Sequence, residues 1–234
     1  MTATRRRFLS AGLRGAGLVA LGGIACDSSR PHAGFLGLME QMNERFQAAL
    51  FDPSRLAPEL GKDEETDLAD FPKYKISREF PVAPAGWRLE VNGLVARPLT
   101  LSLDDLERLP RTSTRVRHHC VEGWSAVASW HGVRLSELAR VAGMDPRARY
   151  VEFRSFDADY WSSWDLASAL HPQTILAYGM NGARLPLEHG APLRLYAAVK
   201  LGYKMVKYLT EVSFLPARTG GYWEDRGYEW FAGV

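Results

Sequence analysis

Two periodicities divide this 234-residue chain. Between Ala33 and Leu50, the residues Phe35, Leu38, Met39, Met42, Phe46 and Ala49 recur at helical spacing. They predict a helix that packs by that face near the start of the folded part. Residues 51–70 are rich in proline and acidic side chains and predict an irregular arm. From Trp87 the period shortens. Trp-Arg-Leu-Glu-Val-Asn-Gly-Leu-Val alternates as a strand does, with a turn at Asn92-Gly93. Ser102, with Asp105 three residues on, predicts a short capped helix.

Further along, Thr112 to His119, Tyr150 to Phe156, Leu193 to Val199 and Lys204 to Phe214 read as strands. Leu135 to Val141 and Trp164 to Leu170 read as short helices, and Asn181-Gly182 as a hairpin turn. No sustained strand–helix–strand period and no internal repeat run through the chain. The expected class is therefore α+β, with mixed β-sheets, short helices and long loops, rather than a doubly wound sheet.

Charge changes the picture at the N-terminus. Of 29 Lys plus Arg, four (Arg5, Arg6, Arg7 and Arg14) fall in the first 26 residues, which contain no Asp or Glu. The remaining 25 face 27 acidic residues, a net of −2, so no basic surface argues for nucleic acid. The run Arg5-Arg6-Arg7-Phe8-Leu9 before a short Gly- and Ala-rich stretch resembles a twin-arginine export signal. Gly23-Ile24-Ala25-Cys26 resembles a lipoprotein processing site, with Gly where Leu is usual, which makes Cys26 a candidate lipid anchor. The expected organisation is a signal over 1–26, a helix and arm over 27–80, and one domain over 81–234.

The chain has two cysteines, and with one at the processing site Cys120 stands alone. His118-His119-Cys120 ends a strand, so His118 and Cys120 share a side and His119 points away. Zinc would need more ligands than the scattered His131, His171 and His189 promise. A catalytic thiol with His118 or His119 as base, and a buried inert cysteine, are the other readings. A lone thiolate also suits a metal whose remaining ligands come from a cofactor. Downstream, His189-Gly-Ala-Pro-Leu-Arg194, then Lys200, Gly202, Lys204 and Lys207, is either an anion cradle or a solvated basic stretch. On a plain strand Lys204 and Lys207 would face opposite ways, so a loop or bulge is needed for both to reach one ligand.

Three stretches together carry a resemblance. Arg117-His-His-Cys120-Val-Glu-Gly-Trp-Ser125, His171-Pro-Gln-Thr-Ile-Leu-Ala177 and His189-Gly-Ala-Pro-Leu-Arg194 resemble, in order, segments of the sulfite oxidase-fold molybdopterin-dependent oxidoreductases. The likeness covers roughly residues 87–216. It implies Cys120 as the thiolate on molybdenum, and His189, Arg194, Lys204, Met205, Val206 and Lys207 at the pterin and its phosphate. Lys207 is then the phosphate partner. It also implies a hydroxyl near the cofactor at Ser155 and, by a weaker match, a contact at Arg78 and Glu79. His118, His119 and Trp124 are pocket-wall candidates from proximity in sequence, and Asp159, Tyr160 and Trp161 from a loop that either lines the substrate approach or packs in the core.

The departures are informative. Classical sulfite oxidases and assimilatory nitrate reductases follow the cysteine with Ala-Gly-Asn-Arg-Arg, whose arginines help bind an anion. Val121-Glu122-Gly123-Trp124 replaces that pair here and resembles the Val-Glu-Ala-Trp of the periplasmic methionine sulfoxide reductase branch, which has Asn where this chain has His189. The resemblance implies two-electron oxo transfer on a sulfoxide or N-oxide, as a small molecule or an oxidised residue. With no Cys-x-x-Cys-His motif for haem, it also implies an electron partner such as a membrane haem protein or a cytochrome. Sulfite-type oxidation, or an exported lipoprotein that keeps the fold without turnover, is the alternative.

Overall fold

The computed structural model describes residues 34–157 and 159–234. The expected signal over 1–26, with Cys26, lies outside the described residues. The elements are α1 (Phe35–Leu50), β1 (Leu89–Gly93), β2 (Leu99–Leu101), α2 (Leu103–Glu107), β3 (Arg111–His119), β4 (Ser125–Arg134), α3 (Leu135–Ala142), β5 (Tyr150–Ser155), β6 (Trp161–Asp165), α4 (Leu166–Ala169), β7 (Thr174–Met180), β8 (Ala183–Arg184), β9 (Arg194–Ala197) and β10 (Leu209–Leu215). One sheet runs β2-β1-β10-β5-β6, with β1 and β10 parallel and its other pairs antiparallel. The other runs β3-β4-β7-β8 with β9 also on β7, all antiparallel. Mixed sheets with a few short helices match the α+β expectation.

Local chemistry accounts for most elements. Ser102 Oγ accepts from Asp105 N at 3.1 Å while Asp105 Oδ2 accepts from Ser102 N at 2.8 Å, a reciprocal cap that starts α2. Leu135, Leu138, Ala139 and Ala142 put one apolar face of α3 into the core, and Gly143 ends it in the left-handed region. Asn181 and Gly182, both at positive φ, close the β7–β8 hairpin as expected. Every residue of β7 is buried, as its unbroken apolar run requires. The larger core includes Leu89, Val133, Phe153, Trp164, Leu176 and Phe214; a second gathers Phe71, Val116, Trp130, Ile175, Tyr196 and Met205.

Four expectations change. Trp164 lies in β6, and the helix after it is only Leu166–Ala169, capped by the Asp165 carboxylate accepting from Ser168 N at 2.8 Å. The strand expected from Lys204 begins at Leu209, because Gly202–Lys204 forms a 3-10 turn instead. Strand β4 has no alternation to announce it, because Ala126, Val127 and Ala128 are all buried; Gly132 is needed there, since a Cβ would meet the Leu176 carbonyl oxygen at 1.9 Å. Finally, α1 does not pack by its apolar face: Phe35, Leu38, Met39, Met42 and Phe46 are exposed, and its polar side holds it to the body. The arm after α1 runs along the second sheet, bonded through Leu60 N to Arg115 O at 2.9 Å and Thr66 N to Val127 O at 2.9 Å.

Candidate functional site

Strand β3 buries Thr114, Val116 and His118 and exposes Arg117 and His119, a period of two that carries into the hairpin beyond it. There Cys120 N donates to Trp124 O at 3.0 Å and Gly123 N to Cys120 O at 3.1 Å, with Gly123 at φ +91. This tight loop fixes Cys120 at the strand end, on the same side as His118, facing a cavity. Glu122 Oε2 lies 3.7 Å from Cys120 Sγ and accepts from Trp124 Nε1 at 2.9 Å.

The cavity gathers residues from both sheets and from the loops between them. His118, Cys120, Ser155, His189, Arg194, Met205 and Lys207 all line it. Two close approaches make this arrangement sterically feasible. A Cβ on Gly202 would meet His118 Nε2 at 2.8 Å, and one on Gly190 would meet Lys207 Cβ at 2.8 Å.

The electrostatics are unusual for an interior. Arg194 is buried and stacks over the Trp130 ring at 4.8 Å, yet among the described residues its hydrogen bonds go only to the carbonyl oxygens of His189, at 3.0 Å, and Leu195. Lys207 Nζ likewise donates only to carbonyl oxygens, of Glu188 at 3.0 Å and of Tyr74. Among the described residues neither cation has a carboxylate in salt-bridge contact; Asp157, on the same cavity wall, is bonded instead by the Ser77 hydroxyl. Burial and then the neighbouring Arg194 push Lys207 down to about 7, and burial takes Arg194 to about 10. Burial, then Arg194, holds His118 at about 3 and His189 at about 4, so both rings are neutral. His118 Nδ1 and His189 Nε2 are buried without a hydrogen-bond partner. A polar, anionic group in the cavity would give these cations and ring nitrogens what they lack.

Cys120 does not look like a nucleophile. Burial pushes its thiol up, with the Glu122 carboxylate acting the same way against the backbone N–H groups of Glu122 and Val121, whereas activated cysteines sit in electropositive surroundings that push it down. Its hydrogen-bond partner is Glu122 rather than a histidine. Among the described residues no three His, Cys, Asp or Glu side chains gather into a metal-holding cluster.

Four residues expected to hold the cofactor lie outside the cavity lining, as do the wall candidates His119, Asp159 and Trp161. The Lys204 ammonium turns inward to an ion pair with Glu224 and to Ser163 O at 2.9 Å. Val206 sits in the main core, where its carbonyl accepts from Leu195 N at 2.8 Å. Arg78 and Glu79 are exposed, Glu79 beside Lys75 at 3.7 Å. The arm reaches the cavity slightly earlier, through Phe71, Tyr74, Lys75 and Ile76, and the C-terminal tail closes it with Trp223 and Tyr228. These wall residues were not singled out in sequence. The crowding of Tyr222, Trp223, Tyr228 and Trp230 in a short tail was the available signal, and the arm offered none beyond Phe71. Tyr160 does line the cavity, donating to Tyr203 O, while Trp161 opens β6.

Comparison with known proteins gives the same direction. Residues 77–223 match the family model described as the oxidoreductase molybdopterin binding domain. The chain is 39% identical to the putative protein-methionine-sulfoxide reductase subunit YedZ1 of Azospira oryzae, over 98% of this chain and 87% of that protein. It is 33% identical to the uncharacterized oxidoreductase YuiH of Bacillus subtilis, over 72% of this chain and 91% of that one. The protein-methionine-sulfoxide reductase catalytic subunit MsrP of Xanthomonas campestris is 34% identical over 68% of this chain, which spans about half (53%) of that relative. Among solved structures, the sulfane dehydrogenase SoxCD of Paracoccus pantotrophus superimposes with a TM-score of 0.53 at 28% identity, over 56% of this chain and 38% of that one.

Proposed function

The chain belongs to the oxidoreductase molybdopterin-binding family and is a molybdopterin-dependent enzyme; from that premise we propose that it removes an oxygen atom from a neutral sulfoxide or N-oxide, with Cys120 as the protein ligand to molybdenum. The observation that carries this reading is the set of groups around Cys120: buried Arg194 and half-buried Lys207, bonded to carbonyl oxygens and to no carboxylate among the described residues, and the ring nitrogens His118 Nδ1 and His189 Nε2, buried with no hydrogen-bond partner there. A phosphorylated pterin has the charge and the acceptors that these groups want. Lys207 and Arg194 would hold its phosphate, His189, Met205 and Ser155 would line the rest of it, and Cys120 would supply the thiolate to its metal.

The bound group supplies two-electron redox chemistry at molybdenum. The chain's own residues set what reaches it. Val121, Glu122, Trp124, Tyr74, Trp223 and Tyr228 form an aromatic wall with one carboxylate beside Cys120. A carboxylate there repels sulfite and nitrate and tolerates a neutral dipole such as a sulfoxide. Reducing a sulfoxide takes two electrons and two protons and releases one water, leaving the sulfide. Glu122 Oε2, in contact with both Cys120 Sγ and the Trp124 indole, is the acid–base atom placed to relay protons.

The electrons come from a separate protein, a membrane haem protein or a cytochrome. The twin-arginine-like start and Cys26 support a location on the outer face of the cytoplasmic membrane. The test is turnover of the molybdenum-loaded protein with a reduced viologen dye, offered methionine sulfoxide, dimethyl sulfoxide and trimethylamine N-oxide, beside sulfite with ferricyanide. Dye oxidation with a sulfoxide or N-oxide and none with sulfite is expected. Sulfite oxidation as the faster reaction would overturn the substrate reading.

A further inference from the structure

Helix α1 is mounted with its polar side toward the body of the protein. Gly37 is buried, Glu44 pairs with Arg218 at 2.5 Å, and Gln47 Nε2 donates to both carboxylate oxygens of Glu229 at 2.6 and 2.7 Å. On the opposite side Phe35, Leu38, Met39, Met42, Phe46 and Leu50 form a continuous apolar stripe, with Phe35 72%, Phe46 63% and Leu50 68% exposed. Sixteen residues give a stripe of roughly 24 Å. A contiguous apolar strip of this kind on an exterior marks a contact surface.

The charges of the helix indicate what covers it. Its two acidic residues, Glu40 and Glu44, are half-buried on the body side, and the charge left at the edge of the stripe is exposed Arg45. The outward half therefore offers a large apolar area edged by one cation, Arg45, which suits an anionic lipid surface. Candidate anchor Cys26 lies nine residues before Phe35. No described helix is long and apolar enough to cross a membrane, so the helix would lie in the surface rather than span it. The segment that α1 grips includes Glu229, next to Tyr228 on the cavity wall.

We propose that α1 is an interfacial helix that lays its Phe35–Leu50 stripe into the headgroup–acyl boundary of an anionic bilayer and so holds the cavity mouth beside the membrane. The proposal borrows from the functional reading only the anchoring at Cys26, and the test separates the two. Full-length chain carrying Cys26→Ser throughout is floated with phosphatidylglycerol–phosphatidylcholine vesicles, in three forms: unchanged, Met42→Gln/Phe46→Gln on the stripe, and Gln41→Asn/Ala48→Ser off it. The stripe variant is expected to lose about tenfold or more in partitioning, and the off-stripe variant less than about twofold, with all three melting together. Equal flotation of all three overturns the proposal. So does a concentration-dependent dimer of the unchanged chain that the stripe variant abolishes, because a second copy then covers the face. A clear loss of melting temperature in the stripe variant alone also overturns it, since the stripe is then packed within the chain.

Discussion

Lys204 and Lys207 stand three residues apart and serve opposite ends of the same loop: Lys204 closes an ion pair with Glu224 in the interior, while Lys207 lies on the cavity wall with only carbonyl partners. Substitution should separate the roles. Lys204→Met strands the Glu224 carboxylate and is expected to cost about 3–5 kcal/mol of folding stability. Lys207→Met is expected to leave the cofactor-free chain as stable or more so, and to lose most of the bound pterin. Denaturant unfolding and pterin content, measured on both variants, check this pair of outcomes.

Two cations, buried Lys200 and half-buried Lys207, also set a pH dependence. Burial pushes Lys207 down to about 7 and Lys200 to about 8 in the folded chain, whereas both hold their protons to roughly 10 when unfolded. Above the folded values the unfolded state binds more protons, so stability rises with pH as the penalty for charging these groups is relieved. The cofactor-free chain should therefore gain melting temperature from about pH 7 towards 10, and Lys207→Met should flatten part of that rise. Loading the anionic cofactor should flatten it too, because Lys207 then keeps its proton.

Glu122 is expected to govern which substrates are refused. Two unit charges about 5 Å apart at an effective dielectric of about 20 interact by about 3 kcal/mol. Even half of that, removed by Glu122→Gln, should tighten competitive inhibition by sulfate or nitrate about tenfold. The KM for a neutral sulfoxide should move much less. Inhibition constants for anions, measured against sulfoxide turnover in parent and variant, read this directly.

Gly190 and Gly182 both sit at positive φ, but only Gly190 abuts the cavity, against Lys207. Gly190→Ala should cost about 1–3 kcal/mol and also deplete bound pterin. Gly182→Ala, where a Cβ meets open space, should cost about 1 kcal/mol through backbone strain alone and leave pterin content unchanged. Melting curves with pterin content on the two variants distinguish site from scaffold.

Much of this arrangement was legible in the residues. The alternation through His118 to Cys120 placed both on one side, and the Ser102–Asp105 pair and Asn181-Gly182 announced their elements because capping and left-handed turns depend on local side chains. What was hidden depends on long-range packing. The divergence of Lys204 from Lys207 is decided by Glu224, twenty residues on, and the aromatic wall by an arm and a tail with no periodic signal. The stripe on α1 was visible, but its direction was not, because hydrophobic spacing identifies a face without saying what it meets.

The most direct test of the central claim is the sulfur coordination of molybdenum, read by X-ray absorption alongside metal and pterin content, in the loaded parent and in Cys120→Ser. About one molybdenum per pterin is expected in the parent and one fewer Mo–S scatterer in the variant, with pterin still held by Arg194 and Lys207. An unchanged sulfur count in Cys120→Ser, or a parent that binds neither metal nor pterin in a host that makes the cofactor, would contradict it.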